Sequence, residues 1–229
     1  MTTRRVLQPS PAYREDCRAC PRLGRFLDEV GHAYPGYFCK PVPAFGVAKP
    51  HLLIVGLAPG LHGANRTGRP FTGDQAGELL FTTLHKFGFA SRALSSRATD
   101  GLKLKDCRVT NAVKCLPPQN KPTTLEIHTC NPYLVAEMAE TPHQSAILAL
   151  GVVAHQAVLM AVGSRQSAHK FSHGGVHLLT TGQTLFDSYH CSRYNTNTGR
   201  ITEPAFHAVF RAIRAHVDLL GSANERVMG

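Results

Sequence analysis

The sequence predicts an α/β domain, a mostly parallel sheet with helices on both faces. Three observations carry this. Short apolar runs, Leu52-Leu53-Ile54-Val55 and Ala146-Ile147-Leu148-Ala149-Leu150, are closed by glycine, as buried strands are. Stretches with apolar residues at helical spacing alternate with such runs, the order of a parallel sheet linked by crossover helices. With 229 residues, 43% of them hydrophobic, the chain has apolar side chains enough for one substantial core. There is no internal repeat and no low-complexity tract.

In chain order, residues 1–16 are polar, basic and proline-containing and are expected to be loose, leaving a single domain over 17–229. Cys17-Arg18-Ala19-Cys20-Pro21 opens a short helix through Leu23, Phe26 and Leu27. Pro35, Gly36, Pro41, Pro43 and Gly46 mark 33–49 as loop. The first strand is 51–57. After Asp74 a helix places Leu79, Leu80, Thr83, Leu84 and Phe87 on one face. Residues 91–105 are polar and read as a surface connection. Cys107 to Lys114 is a second strand, and 116–122 a proline-rich loop. Thr123 and Glu126 form a capping box for a helix to about Glu140. A third strand, 146–150, passes through Gly151 to a helix ending near Ala161. Val176 to Thr180 and Leu185 to Tyr189 are the last two strands, and 190–200 is a polar loop. The final helix, from about Glu203 to Leu220, carries Phe206, Val209, Phe210, Ile213, Val217 and Leu220 on one face.

Composition narrows the partners. Lys and Arg number 25 against 15 Asp and Glu, a formal net charge of +10, with 13 His besides. Such a balance suits a polyanion. No apolar stretch reaches membrane-span length and the first thirty residues lack a signal-peptide core, so no membrane role is expected and the protein is read as cytoplasmic. Seven cysteines argue against a secreted disulfide framework.

Two features carry chemistry. The first is the loop leaving the first strand, Gly56-Leu57-Ala58-Pro59-Gly60 and on through Asn65, Arg66, Gly68-Arg69-Pro70-Phe71-Thr72-Gly73-Asp74. Ligands bind outside the carboxyl ends of parallel strands, and glycines let backbone approach them. The polar content of the loop suits an anionic, planar ligand. The second is the cysteine set. Cys17 and Cys20 are two apart, Cys115 closes the second strand, and Cys130 lies in the following helix. Four thiolates suit a structural zinc or an iron–sulfur cluster. Cys39, Cys107 and Cys191 have no neighbour at ligand spacing.

The Gly-Leu-Ala-Pro-Gly run, Asn65-Arg66-Thr67-Gly68-Arg69-Pro70-Phe71-Thr72-Gly73-Asp74, the four cysteines, and Ser188-Tyr189-His190 followed by Ser192-Arg193-Tyr194-Asn195-Thr196-Asn197-Thr198-Gly199-Arg200 stand in the order of a known family. From Cys17 to about Ile201 the chain resembles the family 5 uracil-DNA glycosylases, relatives of the iron–sulfur family 4 enzymes. Two positions depart from the family pattern: Gly60, where family 5 often has Ala, and Cys191, where the family usually continues His-Pro-Ser. The resemblance implies a compact three-layer α/β/α domain and cleavage of the N-glycosidic bond of deaminated bases in DNA, leaving an abasic site. It implies a structural [4Fe-4S] cluster on Cys17, Cys20, Cys115 and Cys130.

A glycosylase must hold a flipped base and support its departure as an anion. Phe71 is placed to stack on the base, and Asn111 matches the family's base-reading Asn, with Asn120 a second candidate. His190 matches the family's His and would donate to the base carbonyl. Backbone N–H groups from Gly56 to Gly60 would add to the anion hole. Leu57, Ala58 and Gly60 offer no carboxylate or carboxamide to position water, as in family 5. Asp74 is then the nearest carboxylate, either steadying the sugar cation or water, or capping its helix. Arg66, Arg69, Ser192, Arg193, Tyr194, Asn195, Asn197 and Arg200, with Lys114 and Lys121, are expected to meet DNA. The expected protein is a monomer. Alternatives are a catalytically inactive iron–sulfur nucleic-acid-binding protein and a glycosylase for deaminated purines such as hypoxanthine.

Overall fold

The structure, a computed structural model, describes residues 13–227, with side chains to residue 221. Most of the segment expected to be loose lies outside the described residues; within it, the Tyr13 hydroxyl donates to the Pro41 carbonyl. The elements in order are α1 (Pro21–Ala33), β1 (Phe45–Gly46), β2 (Leu52–Gly56), α2 (Ala64–Thr67), α3 (Gln75–Lys86), β3 (Cys107–Asn111), α4 (Thr124–Ala139), β4 (Ala146–Leu150), α5 (Val152–Ala161), β5 (Val176–Leu178), β6 (Thr184–Ser188), α6 (Arg193–Asn197) and α7 (Glu203–Val227).

One six-stranded sheet runs β1-β3-β2-β4-β6-β5. The four inner strands are parallel and the two edges antiparallel. Alternation along the inner strands sorts the core into two layers. Leu52, Ile54, Val109, Leu148 and Phe186 pack against Leu80 and Leu84 of α3 and Phe206, Phe210 and Ile213 of α7. Leu53, Val55, Ile147, Ala149 and Leu185 pack against Leu134 and Met138 of α4 and Ala154 and Val158 of α5. This is the three-layer arrangement expected. A smaller cluster joins Leu23, Leu27 and Val30 of α1 to Val113, Leu116 and Tyr133. The Arg22 guanidinium fixes α1 to the start of α4 by two bonds to Glu126, 2.8 and 2.7 Å. Glu126 is also the capping-box residue, its carboxylate accepting from Thr123 N at 2.7 Å.

The register matters for function. Gly56 pairs with Asn111 and Leu150 with Ser188, so the inner strands end together along one edge of the sheet. Several elements differ from expectation. The second strand stops at Asn111 rather than Lys114, although Ala112 N and Val113 N still donate to Gly56 O and Leu57 O. The chain is drawn off there because Lys114 turns inward and its N–H donates to Cys130 Sγ at 3.3 Å. The expected loop 33–49 contains β1, too short for any periodicity to betray. The loop 190–200 contains α6, capped by Ser192 accepting from Asn195 N. The connection 91–105 is not wholly superficial, since Leu102 and Leu104 are buried in the core. Among the described residues no helix is long and apolar enough to cross a membrane.

Candidate active site

A cavity of about 620 Å³ opens at the carboxyl edge of the sheet. Its walls come from the ends of all four inner strands: Leu57, Ala58 and Gly60 after β2, Asn111 of β3, Leu150 to Val153 at the β4–α5 junction, and His190 after β6. Phe71, Asp74 and Asn120 complete the set expected from sequence, and Ser192 and Arg193 stand at the same walls. Gly56 is a correction: it does not line the cavity. A Cβ at Gly56 would lie 2.5 Å from both the Phe71 Cζ and the Asn111 Oδ1, so its lack of a side chain is what lets ring tip and carboxamide converge.

Asn111 is 3% exposed, and its carboxamide makes no hydrogen bond to any described residue. Its amide atoms open on the cavity rather than being sealed in the core, so donor and acceptor are both free to meet a ligand there. Phe71, buried beside it, has φ of 53°, a left-handed conformation that is unfavourable for a bulky side chain. The surroundings enforce it. Thr67 Oγ1 donates to Gly63 O at 3.1 Å and lies 3.2 Å from Thr72 O, and Arg66 Nη2 donates to Gly73 O at 3.0 Å. The Phe71 carbonyl presses on Gly77, where any Cβ would collide with it.

His190 lies near-parallel to Phe71, ring centroids 5.8 Å apart and 25° between planes. Among the described residues nothing hydrogen-bonds its imidazole. Burial pushes that imidazole down to about 4, so the ring is neutral at neutral pH with one N–H to donate. Asn195 Nδ2 donates to the His190 carbonyl at 2.8 Å and fixes the start of the loop.

The two oxygens of Asp74 face different neighbours. Its Oδ1 accepts from Gly77 N at 3.0 Å and caps α3. Its Oδ2 lies toward Gly60 and Gly63 beside the cavity, 3.6 Å from where a Gly60 Cβ would stand. Burial raises its pKa, against the lowering effect of the Gly77 and Ala76 N–H groups and Arg66. Asn120 and its neighbour Gln119 both have positive φ, which brings the exposed Asn120 over the rim.

The basic residues divide. Arg66, Arg193 and Arg200 are exposed, Arg200 lying over the Tyr189 ring at 4.6 Å, and Tyr194 is 71% exposed. Arg69 is a correction. It is 3% exposed, paired with Asp100 at 2.9 Å, bonded to Ser95 and the Ala98 carbonyl, and stacked on Phe45 at 4.4 Å. A guanidinium so enclosed does not reach phosphate. Lys114, 1% exposed and held by Glu137 at 2.7 Å and by Thr110, is corrected for the same reason. Asn195 commits its amide N–H to the protein interior, as described, while Asn197 is exposed. Leu150 to Val153 were not anticipated. The rule that ligands sit outside strand ends applies to β4 as it does to β2, and would have found them.

Cys17, Cys20, Cys115 and Cys130 line one small second cavity, with Tyr133 and Lys114. Burial pushes the Cys115 thiol up to about 12 and Cys130 to about 11, so without a cation among them they stay protonated. Among the described residues the only three or more His, Cys, Asp or Glu ligand atoms within 4.8 Å of one another belong to His155, His177 and Asp187. Four thiols around one cavity are a donor set that suits a thiolate-bound metal or cluster.

Residues 43–214 match the family model described as the uracil DNA glycosylase superfamily. The chain is 45% identical over 195 residues to a type-5 uracil-DNA glycosylase of Thermus thermophilus, covering 83% of this chain and 89% of that one. It is 45% identical over 203 residues to a type-5 uracil-DNA glycosylase of Mycobacterium leprae, covering 85% and 89%. Similarity to a type-4 uracil-DNA glycosylase of Pyrobaculum aerophilum is 34% over 125 residues, 54% of this chain and 56% of that one.

Proposed function

This chain belongs to the uracil-DNA glycosylase superfamily, in its type-5 branch, and from that premise we infer how its residues divide the work of excising uracil from DNA. The enzyme is a hydrolase of the N-glycosidic bond. The observation that carries the assignment of roles is the pair of unpartnered groups, Asn111 and His190, both close to Phe71 in one cavity.

The base must leave the stack and enter the cavity. Packed on Phe71, its polar edge meets Asn111, because ring tip and carboxamide converge at Gly56. Both atoms of the carboxamide can then be used, one as donor and one as acceptor. As the glycosidic bond stretches, negative charge builds on the base and positive charge on the sugar. Neutral His190 donates its N–H to the base oxygen and supports the anion without carrying a positive charge of its own into an apolar pocket. Asp74, through the oxygen not used in capping, offers negative charge to the sugar side and an acceptor for the attacking water. Arg66, Arg193, Arg200 and Tyr194 stand exposed for the duplex, and the net charge of +10 suits its phosphates. The enzyme acts as a monomer in the cytoplasm.

Cys17, Cys20, Cys115 and Cys130 hold a [4Fe-4S] cluster in this reading. Its positive charge would stabilise four thiolates and tie the segment before α1 to β3 and α4, far from any electron-transfer role. Lys114 N–H would keep its bond to Cys130 Sγ.

The test is strand cleavage at abasic sites after incubation with duplexes carrying uracil, hypoxanthine or xanthine. Uracil excision that survives in His190→Ala at the parent rate overturns the role given to His190. Excision of hypoxanthine well ahead of uracil overturns the reading of a pyrimidine-directed site.

A further inference from the structure

Away from the cavity, where α5 and the β5–β6 hairpin meet, three side chains converge without any part in the chemistry above. Asp187 of β6 is fully buried and sits between two imidazoles. Its Oδ1 is 2.8 Å from His155 Nδ1 and its Oδ2 is 3.0 Å from His177 Nε2. The three ligand atoms lie within 4.8 Å of one another. None of the three residues lines the base cavity or the cysteine cavity.

We propose that His155, His177 and Asp187 form a binding site for a divalent transition metal of the zinc class. Two imidazole nitrogens and one carboxylate oxygen are a donor set that zinc accepts with a fourth position left open. Metal–ligand bonds near 2.0–2.2 Å place tetrahedral ligands about 3.4 Å apart, so a site whose ligand atoms already lie within 4.8 Å of one another needs side-chain adjustments on the order of an ångström. The outer contact is in place as well. Metal-bound histidines as a rule donate their other N–H to a carbonyl or carboxylate, which fixes ring and tautomer. Here His155 Nε2 is 2.9 Å from the His169 carbonyl.

Loading is balanced as follows. Both His155 nitrogens face acceptors, so the ring holds two protons; the Nδ1 proton passes to solvent as the metal takes that position. Before loading, His177 donates from Nε2 to the carboxylate; that proton passes to solvent as the ring takes one up at Nδ1, with no net change, which leaves the Nε2 lone pair for the metal. The metal then neutralises the buried carboxylate in place of the imidazolium. The entry path lies on the His177 side, whose side chain is 15% exposed while His155 and Asp187 are 2% and 0%. The His169 ring lies 5.3 Å from His177 between centroids. A metal here would clamp α5, β5 and β6 together, and β6 is the strand that ends two residues before His190.

The experiment is Co²⁺ titration of the full-length protein as purified, with its cysteine site filled. The expected result is one equivalent bound with visible ligand-field absorption and no thiolate-to-cobalt charge-transfer band in the near ultraviolet, displaced by Zn²⁺. Zinc should also raise the thermal midpoint. His177→Gln keeps an amide N–H for Asp187 on a short edge strand, so its metal-free midpoint should match the parent. Its Co²⁺ affinity should fall more than tenfold, since losing a ligand costs at least what losing an outer-shell partner does. Absorption carrying the thiolate band, or none at all, overturns the proposal and leaves a hydrogen-bonded His-Asp-His triad. Equal binding by parent and His177→Gln overturns it too.

Discussion

Two sets of polar side chains, one with members close in sequence to Phe71 and Asn111 and the other facing the cavity itself, behave in opposite ways. Arg69 and Lys114 are buried and completely partnered, by Asp100, Ser95 and Phe45 in one case and by Glu137 and Thr110 in the other. Asn111 and His190 are walled by apolar residues and partnered by nothing within the described chain. The first set is complete without a ligand, and its members hold the loop and the end of β3 in place. In the proposed mechanism the second set meets the substrate, and the cavity group that lacks a hydrogen bond, rather than the nearby charge that is already paired, does the recognising.

That contrast can be broken most forcefully at Arg69. Arg69→Met keeps the stem and removes the guanidinium, leaving the half-buried Asp100 to the backbone N–H groups of Ser96, Arg97 and Leu102. Breaking a buried pair from one side costs about 3–5 kcal/mol, and these remaining donors put the expected loss at the lower end. Chemical denaturation should show that loss, while DNA affinity of the protein that remains folded should hardly change. Weaker DNA binding at unchanged stability would return Arg69 to the phosphate-contacting set.

His190→Ala should do the reverse. By analogy with loss of an oxyanion-hole donor, single-turnover excision should slow by about a hundredfold, roughly 3 kcal/mol, with stability and DNA affinity close to the parent. Asn111→Ala comes next. The carboxamide bonds nothing in the described protein and opens on the cavity, so stability should hold. Excision should fall by roughly 1–3 kcal/mol of lost base recognition. Lower stability in Asn111→Ala would mean that its amide is a structural group after all.

Asp74 belongs to both sets, and two substitutions take it apart. Asn caps a helix as well as Asp does, so Asp74→Asn should keep stability and lower the single-turnover rate if the charge acts at the sugar. Asp74→Ala should lose about 1 kcal/mol of stability as well. A rate in Asp74→Asn equal to the parent would leave Asp74 as a cap alone.

Much of the scaffold was legible because it rests on local signals. The glycine-ended apolar runs gave β2 and β4, Thr123 and Glu126 gave the cap of α4, and Phe206 to Val217 gave the face of α7. Asn111 and His190 were legible through the family resemblance, and the end of β3 at Asn111 was not, because the expected strand ran on to Lys114. Arg69 and Arg66 look alike in sequence, three residues apart in one loop. What separates them is Asp100, contributed by a segment that reads as surface. Asp74 was ambiguous for another reason, since residue identity does not say which of two carboxylate oxygens faces which neighbour. Phe71 was legible as an aromatic beside the base but not as a strained one. Its positive φ depends on Gly77 and on bonds from Thr67 and Arg66 that no periodicity encodes.

The smallest expected effect is in pH, and it reads the same contrast. His190 titrates at about 4 in the fold and near 6.5 in an unfolded chain, so between these values the unfolded state binds the extra proton. The native state therefore loses stability as pH falls from 6.5 toward 4, and levels off below. At pH 7 both states are neutral and His190 contributes nothing of this kind. His190→Asn lacks the effect, so its stability relative to the parent should improve steadily across that window. The excision rate should show no imidazole titration near 6.5, because the ring stays neutral there. Asp74 acts on the same axis with the opposite chemistry. Burial holds its pKa above the ordinary carboxylate value, so its charge is lost at a higher pH than that of an exposed Asp. If that charge steadies the sugar, the acid limb of the rate profile belongs to Asp74 and vanishes in Asp74→Asn. If the limb persists in Asp74→Asn and moves with substitutions at position 190, the rate depends on the protonation of His190 alone. The two profiles, measured on stability and on single-turnover rate in the same buffers, distinguish a neutral donor beside a working carboxylate from a single titrating imidazole.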